Sequence, residues 1–423
     1  MIQLRGAHFL TVFLIWVLFP VLGAAELPPY HKYEGPIKPG IVITKENWNQ
    51  YLPELKKLLP ATKLKWIGAG VTKGLVTMPI VKTTYLKTPM AKGFAEATKK
   101  YRGTAHIGPG NQLLGWKAGI PFPEPKTAIE LAWNVNNNTS HIGALDDYEM
   151  LGWFSMFQGT KYEKHFSWHL YDRRYQGRTD IPPLGDMPEF TEKHIDFRES
   201  IVITEPQDVK GFINVRNRFT ALDKPDESYA YIPAIRRLRR LTGADQTDPL
   251  LGSDSIPDDN DVMRQKFDSR MKFTVLEHRD FLMQRVVVLG VEKEPSYDYK
   301  KTGPCIQVEW ELRPMYVMEI QINDPDYVYS KRVNYIDAVF PSINYWGEQY
   351  DQKGRLFRGS GPVAPIATTG GMRGNAFWIW INYQTDHFTV LDMNEVYMHQ
   401  RDYTWKPLPE SVFTIKGLMK GLN

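Results

Sequence analysis

The chain has 423 residues, of which 42% are hydrophobic and 24% charged, an ordinary globular balance. Its 52 basic and 48 acidic residues leave a net charge of +4, too even for a nucleic-acid-binding face, which needs concentrated positive charge. The single cysteine, Cys305, excludes an internal disulfide, and its neighbours offer no activating group, so it reads as a small buried apolar residue.

The first 25 residues have the pattern of a secretory signal. Arg5 precedes the apolar run from Leu10, and Gly23, Ala24 and Ala25 supply small residues at a cleavage point placed after Ala25. The run is short for a membrane span and is broken by Pro20 and Gly23. No cysteine lies near the cut, so no lipid anchor is expected. An exported chain without disulfides fits the bacterial periplasm. Residues 26–423 are expected to form one domain, helix-rich over 26–140 and built of antiparallel strands over 150–423.

In chain order, residues 26–40 form a Pro- and Gly-rich lead-in. A helix follows from Ile43, with Thr44 as its cap and Pro53 as a kink or a second start. Leu75 onward reads as extended chain interrupted by Pro79, and Met90 to Gly103 as a second helix. The Gly119-Ile-Pro-Phe-Pro run is a rigid loop with Phe122 as its peg. A third helix begins near Lys126, carries Ala128, Leu131 and Ala132, and ends at Asn136–Asn138.

From Trp153 the chain turns to short β-branched and aromatic runs bounded by turn residues. In the run from Tyr229 to Ile235, Tyr229, Tyr231, Pro233 and Ile235 alternate with Ala230, Ile232 and Ala234, as in a strand. Four arginines end it, Arg236, Arg237, Arg239 and Arg240, and an acidic segment with Asp245, Asp248, Asp254, Asp258, Asp259 and Asp261 follows. Arginines and acidic flap together read as a charged rim. Pairing between them, or contact of the arginines with an anionic lipid head or acidic partner, are the open alternatives. In the stretch from Cys305, Ile306, Val308, Trp310, Leu312, Tyr316, Met318 and Ile320 share one face, and Gln307, Glu309, Glu311, Arg313 and Glu319 the other. Asp351 to Gly354 makes a hairpin turn, and the runs at 375–384 and 387–392 add two strands. The sum is a mainly β (α+β) fold: a strongly curved, incomplete antiparallel β-barrel with helices over its apolar concavity. Trp310, Tyr316, Met318, Trp378 and Trp380 are candidates for lining a ligand cavity there, although such stripes serve equally as core.

Motif chemistry is sparse. There is no Gly-rich phosphate loop, nucleophile elbow or Cys-x-x-Cys pair. His165 and His169 share a face by spacing but lack the glutamate of a zinc protease, and the acidic run fails the calcium-loop spacing. No metal, cofactor or catalytic residue is assigned. Asn137-Asn138-Thr139 matches a glycosylation acceptor only as a short chance pattern.

Several segments together resemble one family. They are AGIPFPEP at 118–125, AWN at 132–134, YIPAIRRLRRLTGADQTD at 231–248, KFTVLEHRDFL at 272–282 and YSKRVNYIDAVFPSINYWGEQYDQKGRLFR at 329–358. They are similar to a bacterial family of unknown function (domain of unknown function 1329), described as outer-membrane lipoprotein-sorting-like. The resemblance spans most of the mature chain and is weakest over 140–195. It implies a fold like the carriers LolA and LolB, with a helical cover over an apolar cavity. It further implies a periplasmic carrier or adaptor for a hydrophobic small molecule or lipid. A resistance-nodulation-division exporter and an outer-membrane β-barrel are its implied partners. In this reading the flap at 243–261 opens as a lid. The alternative is an interaction protein that links exporter to barrel without a ligand. Hydrolysis of an apolar substrate ranks below both, because no nucleophile, base and orienting group stand together.

Overall fold

The computed structural model describes residues 27–83, 90–137, 146–221, 224–241, 247–262, 266–289, 291–293, 295–367, 373–393 and 408–421. Its N-terminal part carries two small ladders, β1 (Val42–Ile43) with β2 (Met78–Pro79), and β3 (His106–Ile107) with β4 (Leu113–Leu114). Around them lie helices α1 (Trp48–Leu58), α2 (Ala61–Val71), α3 (Lys92–Lys100) and α4 (Ala128–Asn137). Helix α1 runs through Pro53 unbroken, and it starts at Asn47 rather than Thr44, with Asn47 Oδ1 accepting from Thr44 N at 2.7 Å. Helix α2 was not foreseen. Pro60 starts it, and Gly68 and Gly70 thin its face so that Trp48 and Cys305 can pack close.

The strands are β5 (Asp147–Gln158), β6 (Lys161–Arg174), β7 (Ile195–Glu205), β8 (Ile213–Phe219), β9 (Glu227–Ile232) and β10 (Arg237–Leu241), followed by β11 (Met271–Gln284) and β12 (Val287–Val288). The last six are β13 (Trp310–Ile322), β14 (Lys331–Asp337), β15 (Asn344–Tyr350), β16 (Leu356–Ala367), β17 (Arg373–Asn382) and β18 (His387–Asp392). They form one 14-stranded sheet. It runs from edge β10 through β9, β8, β7 and β6 to β5, then β18, and through β17, β16, β15, β14 and β13 to edge β11. Two meanders are thus joined where β18 pairs with β5, and the edges β10 and β11 do not pair with each other. The fold is mainly β, antiparallel and open, as the alternating sequence pattern predicts. Among the described strands only β12 runs parallel to its partner, β16, beside single parallel bridges at His31–Arg279 and Ile80–Trp310.

Both faces of the sheet are covered. Register places Phe157, Phe388, Ile381, Gly359 and Glu348 in one row, because opposite residues share a face. Helix α2 lies on this row. Thr62 donates to Glu348 Oε1 from its backbone N at 2.8 Å and its Oγ1 at 2.9 Å, and Trp346 Nε1 donates to Thr62 Oγ1 at 2.7 Å. Gly359 permits the approach, since a Cβ there would lie 2.2 Å from Thr62 Oγ1. The opposite face holds Met318 and Ile320, which pack with Leu131, Ala132 and Trp133 of α4 and with Ile256 and Phe267.

Of the polar residues expected at a solvent face, Gln307 and Glu309 are exposed and Glu319 is half-buried, but two are instead buried. Glu311 and Arg313 are 0% and 1% exposed. Arg313 bonds Glu311, and its Nε reaches Asp337 Oδ2 at 3.0 Å, so charge pairing satisfies what water would otherwise solvate. At the start of β13, Trp310 packs on Trp66 of α2, ring centroids 6.3 Å apart, and Trp66 Nε1 donates to Pro304 O at 2.8 Å. Cys305 sits beneath, its Sγ against Trp66 O, and burial pushes its thiol up to about 12. Because Trp66 is fully buried, Trp66→Ala is expected to cost about 3–5 kcal/mol in chemical unfolding, a large fraction of the stability of an ordinary domain.

Candidate functional site

The lead-in that follows the leader pattern builds a wall along edge β11. His31 N donates to His278 O at 2.8 Å, extending the ladder by one bridge to Arg279. Two tyrosines then fasten to one carboxylate: Tyr30 Oη to Asp280 Oδ1 at 2.7 Å and Tyr33 N to Asp280 Oδ2 at 2.9 Å. Tyr33 Oη donates to Glu54 Oε2 of α1 at 2.9 Å, and burial raises its phenol to about 12.

Between this wall and the sheet lies an open groove of about 630 Å³. Tyr30, Tyr33, Leu312, Pro314, Ala338 and Val339 give it apolar surface, and Lys32, Thr83, His278 and Asp280 its polar points. Pro314 belongs to β13 and cannot donate a ladder bond, while its carbonyl accepts from Ala338 N at 2.9 Å. His278 is held below the ordinary histidine value, chiefly by burial, and so is uncharged at neutral pH. Its ring lies between Tyr30 and Tyr316, centroids at 5.0 and 4.2 Å. The hydroxyl of Thr83 donates to Leu312 O at 3.1 Å.

The five aromatic-stripe candidates separate. Trp310, Met318, Trp378 and Trp380 are 0%, 0%, 3% and 5% exposed, packed among the protein's own side chains. Trp380 meets Phe154 edge-on at 5.4 Å and Trp378 at 6.1 Å. Tyr316 is half-buried and stacks behind His278 of the groove. Leu312, from the same stripe, forms groove floor. The groove's other walls lack a sequence signature, since they come from an aperiodic lead-in and from the turn after β14.

The acidic segment is not a solvated flap over the described part. From Ser253 to Ile256 and at Asp258 and Asp259 it is buried against the sheet. Asp259 bonds Arg332 and accepts from Tyr329 Oη at 2.6 Å, and Arg358 Nη1 donates to Tyr329 Oη at 3.1 Å. Tyr327 Oη donates to Asp258 Oδ2 at 2.8 Å, and burial raises the Asp258 carboxyl above its usual range. Asp254 Oδ2 lies 2.6 Å from His387 Nδ1 and accepts from Thr389 Oγ1 at 2.8 Å, while His387 Nε2 faces Glu163 at 3.1 Å. These partners are remote in sequence, so local reading paired the segment with the nearby arginines instead. Asp248 is exposed, and Asp245 lies outside the described residues.

Arg236 to Arg240 do not continue strand β9. Pro233–Ile235 form a single 3-10 turn, Arg236 takes a left-handed conformation with φ 50°, and Arg237 starts β10 folded back on β9. Among the described residues, of these four only Arg240 has a carboxylate near, Glu227 at 3.9 Å. Sequence reading also missed Lys63, fully buried on α2, which donates to Gln284 Oε1 at 2.8 Å and lies 4.5 Å from the Trp346 ring centroid. Burial depresses its amine well below the usual lysine value. The two histidines of β6 go separate ways, His169 to Glu149 at 2.6 Å and His165 to Tyr162.

An open antiparallel sheet, helices packed on it and an apolar groove at one edge define an α+β protein. The chain belongs to the family described as "Protein of unknown function (DUF1329)", which matches residues 42–418. No curated protein matches the sequence. A solved family protein from Desulfovibrio piger is 15% identical, covering 68% of this chain and 96% of that one with a TM-score of 0.46. A putative outer membrane lipoprotein-sorting protein domain from Vibrio parahaemolyticus is also 15% identical, covering 62% and 88% with a TM-score of 0.42. A LolA superfamily protein from Nitrosomonas europaea, again 15% identical, covers 68% and 97% with a TM-score of 0.40.

Two outcomes test the buried segment. Asp259→Asn leaves the Arg332 guanidinium uncompensated in the interior, and the expected loss is about 3–5 kcal/mol in urea unfolding, with new proteolytic cleavage between residues 250 and 262. His387 is raised above 6.5, first by its hydrogen bond to Asp254. Its contribution is therefore complete below the unfolded histidine value and fades as pH climbs through the higher folded one. The melting-temperature gap between wild type and His387→Gln should be widest in mild acid and should close in alkali.

Proposed function

We propose that the protein is an envelope carrier or adaptor that holds a hydrophobic ligand, a lipid or acyl chain, in the groove beside Tyr30 and Val339. The carrying observation is the groove itself. Its volume of about 630 Å³ falls within the range of small-molecule sites, and its surface is mainly apolar with a few polar points at one side. An acyl chain gains about 0.8 kcal/mol for each methylene removed from water, so a modest length is held reversibly without covalent chemistry. His278 and Asp280 then meet the polar end. A periplasmic setting is supported by the leader pattern of residues 1–25, and among the described residues no helix is long and apolar enough to cross a membrane.

A second reading is favoured by the filled interior. Trp310, Met318, Trp378 and Trp380 leave no space for a guest against their own surfaces, as an adaptor between an exporter and an outer-membrane barrel requires. The two readings part on ligand binding.

Val339 is 36% exposed, so Val339→Trp fills the groove without disturbing the core. Titration with the fluorescent fatty acid cis-parinaric acid should show saturable binding to the wild type and an affinity lower by about tenfold in the variant. Absence of binding to the wild type, together with no lipid in organic extracts of protein taken from the periplasm, sinks the carrier reading and leaves the adaptor.

A further inference from the structure

At the far end of the sheet from the groove, edge β10 lies bare among the described residues, paired with β9 alone. Arg236, Arg237, Arg239 and Arg240 are all exposed there. Among the described residues no carboxylate lies within ion-pair distance of the first three, and the fourth has Glu227 only at 3.9 Å. Apolar side chains stand between these cations. Ile235 is 55% exposed and Leu238 58%, high values for side chains of that size.

The C-terminal helix, Ile415–Gly421, extends the same surface. Leu418 is its buried anchor, packed with Val202, Ile213 and Val215. Its outer side presents Lys416, Lys420 and Met419, the last 38% exposed. Between this helix and residues Tyr231 and Pro233 runs a shallow groove of about 600 Å³. Register fixes what faces it. Leu238 is opposite Tyr231 and Arg240 opposite Tyr229, so Leu238 and Arg240 project on the groove side of the hairpin.

Charges on an edge strand commonly serve to block pairing with another sheet. That purpose is poorly served by leaving Ile235 and Leu238 exposed among them. An acidic protein would match the cations but gives no use to apolar tips placed around a groove. A bilayer surface uses both: apolar tips enter the acyl boundary while guanidinium and ammonium groups stay at the phosphate level. Arginine suits that level, because its planar fork binds phosphate oxygens in pairs.

We propose that the β9–β10 hairpin and the C-terminal helix form a docking surface for anionic phospholipid bilayers. This surface extends the carrier reading by giving the protein a place to meet its lipid source, but its evidence and its test are independent of the groove at Val339.

The test is co-sedimentation of the full mature chain with vesicles of phosphatidylcholine containing phosphatidylglycerol, against vesicles of phosphatidylcholine alone. The wild type is expected to bind the anionic vesicles only, and less as salt is raised. Replacing Arg240, Lys416 and Lys420, the cations on the groove side, together by Gln should lower the partition coefficient by roughly a hundredfold, at about fivefold for each charge. Leu238→Asp should lower it by about tenfold with all arginines present, and Lys353→Gln, at the distant hairpin turn, should leave it unchanged. Thermal melts confirm that each variant is folded, and these exposed positions carry little packing. Equal binding to both vesicle types, or a triple variant that binds like the wild type, overturns the proposal. So does retention on a polyaspartate matrix without vesicle binding, which assigns the surface to an acidic polypeptide. Val339→Trp should bind vesicles normally, so failure of the groove and failure of this surface give different results.

Discussion

Where the sheet is covered on both faces it has no solvent side on which to leave its polar residues, and that constraint shapes much of this structure. In β13 Glu311 and Arg313 are enclosed as fully as Trp310 and Met318. Glu311, Arg313 and Asp337 neutralise one another under the N-terminal part, and Asp259 meets Arg332 on the other face. Each charge taken from water costs several kcal/mol, and the loss is offset only where partners and hydrogen bonds are complete. The tyrosines do this work around Asp259. Tyr329 donates to it, and Tyr327 ties Asp258 beside it while receiving Arg332 Nη2 at 3.0 Å. Such networks favour one arrangement of strands and cover, because a slip by one residue turns every charge onto a face without its partner.

The two edges of the sheet are treated differently. At β11 the lead-in supplies a backbone bridge at His31 and fixes itself to Asp280 through two tyrosines. The groove lies between this lead-in and Leu312 and Pro314 of β13. At β10 no chain among the described residues covers the edge, which carries exposed arginines with Ile235 and Leu238 between them. The candidate binding groove and the bare cationic edge thus stand at the two margins of one open sheet.

Much of this was legible in the sequence. Period-two runs located the strands, and 387–392 coincides with β18. The turn at Asp351 is closed by Gly354 N donating to Asp351 O at 2.8 Å, with Gly354 at φ 72°. Helices α1, α3 and α4 followed from their apolar spacing. Helix α2 escaped notice because proline and glycine, usually breakers, here start it and let it sit close to the sheet. The β9–β10 turn was hidden for a related reason: alternation from Tyr229 to Ile235 is real as letters, but Pro233 bends the chain midway. The groove was the least legible feature. Its residues are drawn from the lead-in, β11, β13 and the turn after β14, and nothing periodic links them. The acidic segment was misjudged in the same way, since Arg332 and His387 lie far along the chain from it.

The pairing of β18 with β5 has a topological result. Strands β5 to β10 make up one half of the sheet and β11 to β18 the other, and the seam is a ladder of six residue pairs from His387–Gln158 to Asp392–Trp153. The covalent connection from β10 to β11 lies over that seam in its described part: Asp254 bonds His387 and Thr389 of β18, and the Leu251 carbonyl accepts from Lys164 of β6. The link between the two halves thus doubles as a clamp across their joint, and a cut within it would loosen the join as well as divide the chain.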